Sequence, residues 1–150
     1  MTEEMRRPLE VYAVAAGCNV NFSGSSGSDY QNFLLDYSMN GTFGWTAKEG
    51  KVGEWIQVSC EEPKYWTEII IQGRGDIDHW VTSFKIGYTL NGCIWENVEE
   101  GKAFDGNNDR NSKVKIRFKD PIYSRVLRIY PQTWNKFLSL RFDAIYIDIV

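Results

Sequence analysis

A chain of 150 residues with 43% hydrophobic and 15% aromatic side chains can bury the core of one compact domain. The composition excludes a disordered or low-complexity protein, and no apolar stretch reaches the length of a membrane span. We expect a single domain over residues 1–150, with its core from about residue 9 onward.

The net charge of −3 is unevenly distributed along the chain. Residues 101–150 hold ten basic and five acidic side chains, and the basic ones alternate with apolar residues over 113–119. This alternation is typical of a strand whose outer face carries Lys and Arg, which protects an exposed sheet edge. The alternative is a surface for an anionic partner such as nucleic acid, lipid or sulfated sugar. Because alternation alone explains the basic residues, we expect no nucleic acid partner.

Short segments rich in β-branched and aromatic residues follow one another along the chain. They predict strands at 9–16, 55–60, 66–72, 83–90, 94–98, 114–118, 125–130 and 138–149. Asn91-Gly92 predicts a hairpin turn, and a change of apolar phase after Asp143 predicts a bulge or a bend in the last strand. About eight strands without a convincing helix predict an all-β fold, an antiparallel β-sandwich or jelly roll. In such a fold the polar loops at 23–34, 73–80, 105–112 and 131–137 converge on one rim.

Three cysteines, Cys18, Cys60 and Cys93, leave at least one thiol unpaired. An odd and low count without a secretion signal favours buried thiols in a reducing compartment, although the sequence leaves a disulfide open. We therefore expect a protein that is cytoplasmic, or that is secreted without a signal peptide. His79 is the only histidine, so no spacing resembles a zinc site.

The loop between the strands at 66–72 and 83–90 concentrates unusual side chains. It contains two glycines, three charges of mixed sign, the only histidine and a tryptophan. A loop that only reverses the chain needs none of these, and loops held on a rigid sheet collect binding residues. Arg74-Gly75-Asp76 also spells the integrin adhesion tripeptide, but a tight turn is sufficient to explain the glycine.

A series of short motifs, in register along the chain, resembles one known family. The motifs are Gly44-Trp45, Gly53–Val58, Gln72–Asp76, Trp80–Ser83, Tyr88 with Asn91-Gly92 and Trp95, Asp109–Asn111, Arg128–Pro131, Thr133–Asn135 and Leu138–Phe142. Together they resemble the discoidin domain, also called the coagulation-factor five/eight type C domain, from about residue 9 to residue 150. The likeness is greatest to the N-terminal domain of the slime-mould discoidins.

The resemblance implies a jelly roll of five plus three strands whose end loops bind sugars, anionic phospholipids or proteins, without catalysis. Membrane-binding members insert Trp or Leu side chains into lipid. This chain has Ser25–Ser28 in the first such loop and only Ile77 as an apolar tip in the second. We therefore expect no membrane insertion.

The preferred hypothesis is a non-catalytic module that binds galactose-type carbohydrate on glycans or glycoproteins, in cell adhesion or aggregation. One alternative is a protein–protein interaction module that uses the same rim loops. A binder of anionic phospholipid is the third hypothesis. No enzyme activity is expected, because the chain has no nucleophile elbow and no metal dyad.

Sugars bind to aromatic faces flanked by planar polar groups, since a pyranose ring has an apolar face and a belt of hydroxyls. The candidate ligand-binding residues combine both types: Asp29, Tyr30, Arg74, Asp76, His79, Trp80, Asn108, Trp134 and Asn135. The alternatives are that Trp80 and Trp134 are core residues and that Arg74 is a structural partner of Asp76. A single site of this kind binds weakly, so a homo-oligomer would provide avidity.

Discoidin-like sugar binders often hold a structural calcium ion near their N-terminal loops. The resemblance implies oxygen donors for Ca²⁺ at Asp36, Asn40, Thr42 and Asp143. Where calcium-binding relatives have Asp-Gly before the tryptophan, this chain has Asn40-Gly41, which removes a carboxylate. We therefore expect that any calcium ion is structural and that function does not require it. We expect no other cofactor.

Overall fold

The computed structural model describes residues 8–23 and 38–149, and these residues form an all-β antiparallel fold. Every pair of neighbouring strands runs antiparallel. The strands are β1 (Pro8–Tyr12), β2 (Asn19–Phe22), β3 (Trp45–Thr46), β4 (Ile56–Gln72), β5 (Trp80–Thr89), β6 (Glu96–Asn97), β7 (Phe104–Asp105), β8 (Val114–Asn135) and β9 (Ser139–Ile149). The helical content of the described residues is one 3-10 turn at Val98–Gly101, and no helix there is long and apolar enough to cross a membrane.

Two long strands, β4 and β8, connect the two layers of the sandwich. Their mutual register shifts between Ser59 and Lys64, so each strand has two halves. The second half of β4 pairs with β9, which in turn pairs with β1. The first half of β4 pairs with β2, and the second half of β8 pairs with β5. The sequence prediction divided each long strand into two, whereas the register shift lets each strand bend and continue.

The core between the layers is built from large apolar side chains that are excluded from solvent. Trp45, Trp66, Phe84 and Phe142 are among the largest of these. The indole Nε1 of Trp66 donates to the carbonyl oxygen of Ser124 at 2.9 Å, so its polar group is satisfied inside the core. Aromatic residues of this size contribute most of the area buried on folding.

The last strand differs from its prediction. Leu138, Leu140 and Phe142 face the core as expected, but Ala144 and Tyr146 continue on the same face without a change of phase. The irregularity lies instead in the neighbouring β4, where Trp66 pairs with Tyr146 and Glu68 with Ile145. The bulge predicted in β9 is therefore wrong. Both faces of this central strand are buried, and Ile145, which faces away from the core, is only 1% exposed. Apolar residues therefore occur on both faces, and their pattern does not show which face is turned toward the core.

The Asn91-Gly92 turn is confirmed, with a shorter return strand than predicted. The side-chain Oδ1 of Asn91 accepts the backbone N–H groups of Cys93 and Ile94 at 2.8 and 2.9 Å. Among the cysteines, Cys93 is exposed rather than buried, which corrects the expectation. Cys18 and Cys60 are half-buried free thiols with their sulfur atoms 3.0 Å apart, and burial is the main cause that raises the pKa of Cys60 to about 12.

Candidate functional site

Three of the predicted rim loops meet at one end of the sandwich, together with a segment that follows the undescribed residues. We call residues 41–44, 73–79, 106–112 and 134–138 the rim. The backbone N–H of Gly75 donates to the carbonyl oxygen of Thr42 at 2.6 Å, which joins the first two segments. The side-chain Nδ2 of Asn135 donates to the carbonyl oxygen of Asp78 at 2.8 Å, which joins the second and the fourth. The predicted convergence is thus confirmed for the loops at 73–80 and 105–112. Most of the predicted loop at 131–137 is strand instead, since β8 continues to Asn135, and only its end belongs to the rim. Of the predicted loop at 23–34, residues 24–34 lie outside the described residues.

Arg141 of β9 is the centre of this arrangement. Its side chain lies under the rim, and the residue is only 5% exposed. The guanidinium donates to the carbonyl oxygens of Gly73 and Gly41 at 2.7 Å each, and to that of Arg110 at 2.8 Å. It also donates to Oδ1 of Asn111 at 2.8 Å. One buried cation therefore fixes three rim segments, and charge-assisted bonds of this kind are the stronger ones in proteins.

Two buried amides complete the support for the loop at 106–112. The side-chain Nδ2 of Asn107 donates to the carbonyl oxygens of Ile71 and Ser112 at 3.1 and 2.9 Å. Nε2 of Gln72 donates to the carbonyl oxygen of Asn111 at 2.6 Å. These contacts make Asn107 a structural residue, whereas the predicted site residue Asn108 beside it is exposed to solvent.

Arg74 and Asp76 form a two-bond ion pair within their own loop. The Nε and Nη2 atoms of Arg74 lie 2.8 and 3.2 Å from the two carboxylate oxygens of Asp76. Partial burial by itself would raise the pKa of Asp76, but the hydrogen bond and charge of Arg74 outweigh it and lower this pKa. The guanidinium also lies 5.7 Å from the ring centre of Phe43. The structure thus shows the partner role that the sequence left open for Arg74.

Asp78 joins the loops on the other side of the rim. Its Oδ1 accepts from Nε of Arg110 at 2.8 Å, and its Oδ2 lies 3.9 Å from Nζ of Lys136. The hydrogen bond with Arg110 is the main cause that lowers the pKa of Asp78. Sequence reasoning did not select Asp78, Arg110 or Lys136, although all three are charged residues in predicted rim loops.

His79 lies between these two ion pairs. Its imidazole ring is 6.1 Å from the ring of Phe137, centre to centre. Nδ1 is buried and has no hydrogen-bond partner. Burial is the main cause that lowers the pKa of His79, and the charge of Arg74 adds to it. The imidazole is therefore neutral at neutral pH, which leaves it able both to donate and to accept.

The two predicted tryptophan platforms differ in their surroundings. Trp80 is half-buried at the start of β5, opposite Asn135, at the inner edge of the rim. Trp134 is also half-buried, and it packs against the hydrophobic core. Trp134 therefore contributes more to the sandwich than to an open platform. Asp29 and Tyr30 lie outside the described residues.

The described members of the predicted calcium set have different surroundings. The carboxylate of Asp143 accepts the backbone N–H groups of Val14, Ala15 and Ala144 at 2.8, 3.1 and 2.8 Å. Thr42 and Asn40 are exposed, and Asp36 is not among the described residues. No group of three His, Cys, Asp or Glu side chains in residues 8–23 and 38–149 is arranged to hold a metal ion. Because Asp36 lies outside the described residues, the predicted calcium site stays a prediction.

The sequence of this chain matches one known protein family. The model of the F5/8 type C domain matches residues 19–143. Discoidin-2 of Dictyostelium discoideum is 34% identical over 126 residues, which are 79% of this chain and 49% of that protein. The chain thus spans about half the length of this relative.

Solved structures agree with this assignment. The structure of discoidin II of Dictyostelium discoideum superposes with a TM-score of 0.85 and 30% identity, over 95% of this chain and 60% of that chain. The family 32 carbohydrate-binding module of NanJ from C. perfringens, solved in complex with galactose, has a TM-score of 0.67 at 16% identity. It covers 93% of this chain and all of its own, and at this identity it shows the shared fold alone. The chain belongs to the F5/8 type C domain family.

Proposed function

We propose that this chain is a non-catalytic module that binds galactose-type glycans through its rim, in cell adhesion or aggregation. The observation that carries the proposal is the fixation of the rim by Arg141. Three loop segments are held by bonds to one buried guanidinium, while polar side chains of the same segments reach the surface. A site whose polar groups are already ordered loses less conformational entropy when a ligand binds.

The surface chemistry of the rim suits a neutral sugar. Arg110 and Lys136 present donors beside the acceptor Asp78, and their charges are largely balanced within the rim. Asn108 adds an exposed amide. The rings of His79 and Phe137 provide flat faces against which the apolar side of a pyranose can pack. A ring of hydroxyls needs this combination of donors, acceptors and flat surface.

Similar proteins also support a sugar ligand. The NanJ module shares the fold and is described in complex with galactose. Discoidin-2 is 34% identical in sequence to this chain over the matched residues. A membrane ligand has less support. Among the described residues, Ile77 is the only large apolar side chain that is strongly exposed at the rim, at 41%. This tip is too small for apolar insertion into a bilayer to be the main binding mode.

A glycan array probed with the wild-type chain and with His79→Ala tests the proposal. We expect binding to galactose-terminated glycans, and a loss of about tenfold or more in His79→Ala because the neutral imidazole faces the ligand. Lys85→Ala is the matched control, since Lys85 lies in the middle of β5, away from the rim. A blank array combined with capture of a protein partner that depends on His79 would replace the sugar with a protein. Binding only to phosphatidylserine vesicles would replace it with lipid.

A further inference from the structure

A cavity lies on the outer face of the layer that contains β9, below the rim. Its volume is about 300 Å³, and its floor includes Ile70 and Asp143. These two residues are paired across β4 and β9, and Lys115 of β8 pairs with Ile70 from the other side. Ile69 and Ile71 point into the core, so Ile70 and its row face away from it. Ile70 is nevertheless only 1% exposed, which gives the cavity an apolar floor.

Two lysines with no acidic partner among the described residues line this cavity. The basic segment 113–119 carries four outward-facing cations, and two of them are neutralised: Arg117 lies 3.8 Å from Glu68, and Lys119 lies 3.6 Å from Glu99. Lys113 and Lys115, in contrast, have no carboxylate within ion-pair distance among the described residues, and both line the cavity. Within the part of the chain that the structure describes, the unpaired cations of this segment are thus the two at the cavity.

The carboxylate at the floor does not serve as their counter-ion. The oxygens of Asp143 are already bonded to three backbone N–H groups, and desolvation raises its pKa. The ammonium groups of Lys113 and Lys115 are donors alone, whereas the hydroxyl of Ser38 and the amide of Asn40 can both donate and accept. One carboxylate against two ammonium groups gives the described lining a net positive charge, which favours an anion over a cation.

We propose that this cavity binds an acidic sugar residue, a pyranose that carries a carboxylate or a sulfate, and that it does not hold calcium. Lys113 and Lys115 bind the anionic group, while the half-exposed ring of Tyr12 contacts the apolar side of the sugar ring. A volume of about 300 Å³ is at the lower limit for ligand pockets, which restricts the ligand to one or two sugar rings. The site is separate from the rim and does not depend on the function proposed for it.

The test is a titration of the ¹⁵N-labelled chain, followed by NMR, with galacturonic acid, galactose 6-sulfate, neutral galactose and inorganic sulfate. We expect the acidic sugars to shift the amide signals of Ile70, Lys115 and Asp143. The response to the two acidic sugars distinguishes a carboxylate from a sulfate ligand. Affinity should fall as the salt concentration rises, since the contact is between charges at the surface.

Two double variants of the same strand provide matched controls. Lys113→Gln/Lys115→Gln should weaken binding of the acidic sugars by about tenfold or more, because both charge-assisted bonds are lost. Arg117→Gln/Lys119→Gln removes the same charge from neighbouring positions and should leave it nearly unchanged. His79→Ala should also leave it unchanged, which separates this site from the rim.

Four results would overturn the proposal. The first is equal affinity of Lys113→Gln/Lys115→Gln and the wild type for the acidic sugars. The second is an equal response of the same amides to neutral galactose, and the third is inorganic sulfate binding as tightly as the acidic sugars. The fourth is a calcium titration that shifts the Asp143 amide with saturation.

Discussion

Two arginines of this domain are almost fully engaged, one at the rim and one on the opposite layer, and they stabilise their surroundings by different means. Arg141 uses its donors on the backbone carbonyls of three loop segments. Arg128 uses the faces of its guanidinium, which lies 3.7 Å from the ring centre of Trp55 and 3.9 Å from that of Trp95. Its Nε also donates to Oε1 of Gln57 at 2.8 Å.

The difference shows how one residue type can order a binding surface or only a sheet surface. The bonds of Arg141 cross between loops, so they determine where the candidate ligand groups lie. The contacts of Arg128 join side chains on β4, β8 and the hairpin, and none of them reaches the rim. Loss of Arg141 should therefore affect both stability and binding, and loss of Arg128 should affect stability alone.

The largest effect is expected for Arg141→Lys. A lysine keeps the charge, but its single ammonium group cannot reach three separated loops, so buried carbonyl oxygens lose their partners. We expect a loss of about 2–4 kcal/mol in the free energy of unfolding, measured with urea, and loss of glycan binding. Wild-type stability together with unchanged rim NMR signals would show that the loops are held by other contacts.

Gly44→Ala should have the next largest effect. Gly44 has a φ of +78°, and a Cβ atom there would lie 2.5 Å from the carbonyl oxygen of Leu140 in β9. Gly92, with a φ of +81°, has no atom within 4 Å of the same position and is the matched control. We expect Gly92→Ala to cost about 1 kcal/mol through backbone strain alone, and Gly44→Ala clearly more. Equal unfolding free energies of the two variants would contradict the close approach of the segment at 41–44 to β9.

Arg128→Leu should have a moderate effect that is confined to stability. The substitution removes the cation–π contacts with Trp55 and Trp95 and the hydrogen bond to Gln57, for which we expect a loss of about 1–2 kcal/mol in urea unfolding. Galactose binding should match that of the wild type. A parallel loss of binding would mean that the two regions are coupled, and the distinction between them would fail.

The smallest effect concerns pH. Because burial lowers the pKa of His79, the folded state holds fewer protons than the unfolded state between this lowered pKa and the usual value of about 6.5. Stability should therefore rise with pH through this window and fall on acidification. His79→Gln should flatten this part of the profile of unfolding free energy against pH, and an unchanged slope would show that another group is responsible.

The sequence predicted the fold class and the location of the rim well, because alternation, turn residues and family motifs all report local backbone structure. It predicted the individual site residues less completely. Arg141 was missed because it is a single cation between Leu140 and Phe142, and strand alternation treats such a position as a solvent-facing one. What makes it structural is the set of carbonyls above it, which come from residues distant in sequence.

The same limitation explains why only one of the two charge pairs at the rim was expected from the sequence. Arg74 and Asp76 are two residues apart, so a partnership between them could be proposed from the sequence. Arg110 and Asp78 are 32 residues apart and meet only because two loops converge. The sequence likewise did not show that Lys113 and Lys115 lack a carboxylate partner among the described residues, since the alternation of 113–119 does not show which of its cations lie beside a carboxylate.

The most direct test of the proposed rim site is an NMR titration of the labelled wild-type chain with galactose. We expect the shifted amide signals to cluster in residues 73–80, 106–112 and 134–138, around His79 and Arg110. Signals around Trp55 and Arg128, on the outer surface of the other layer, should remain unchanged. Saturable shifts centred on that outer surface, or no shifts at any galactose concentration up to the millimolar range typical of single sugar sites, would contradict a sugar site at the rim.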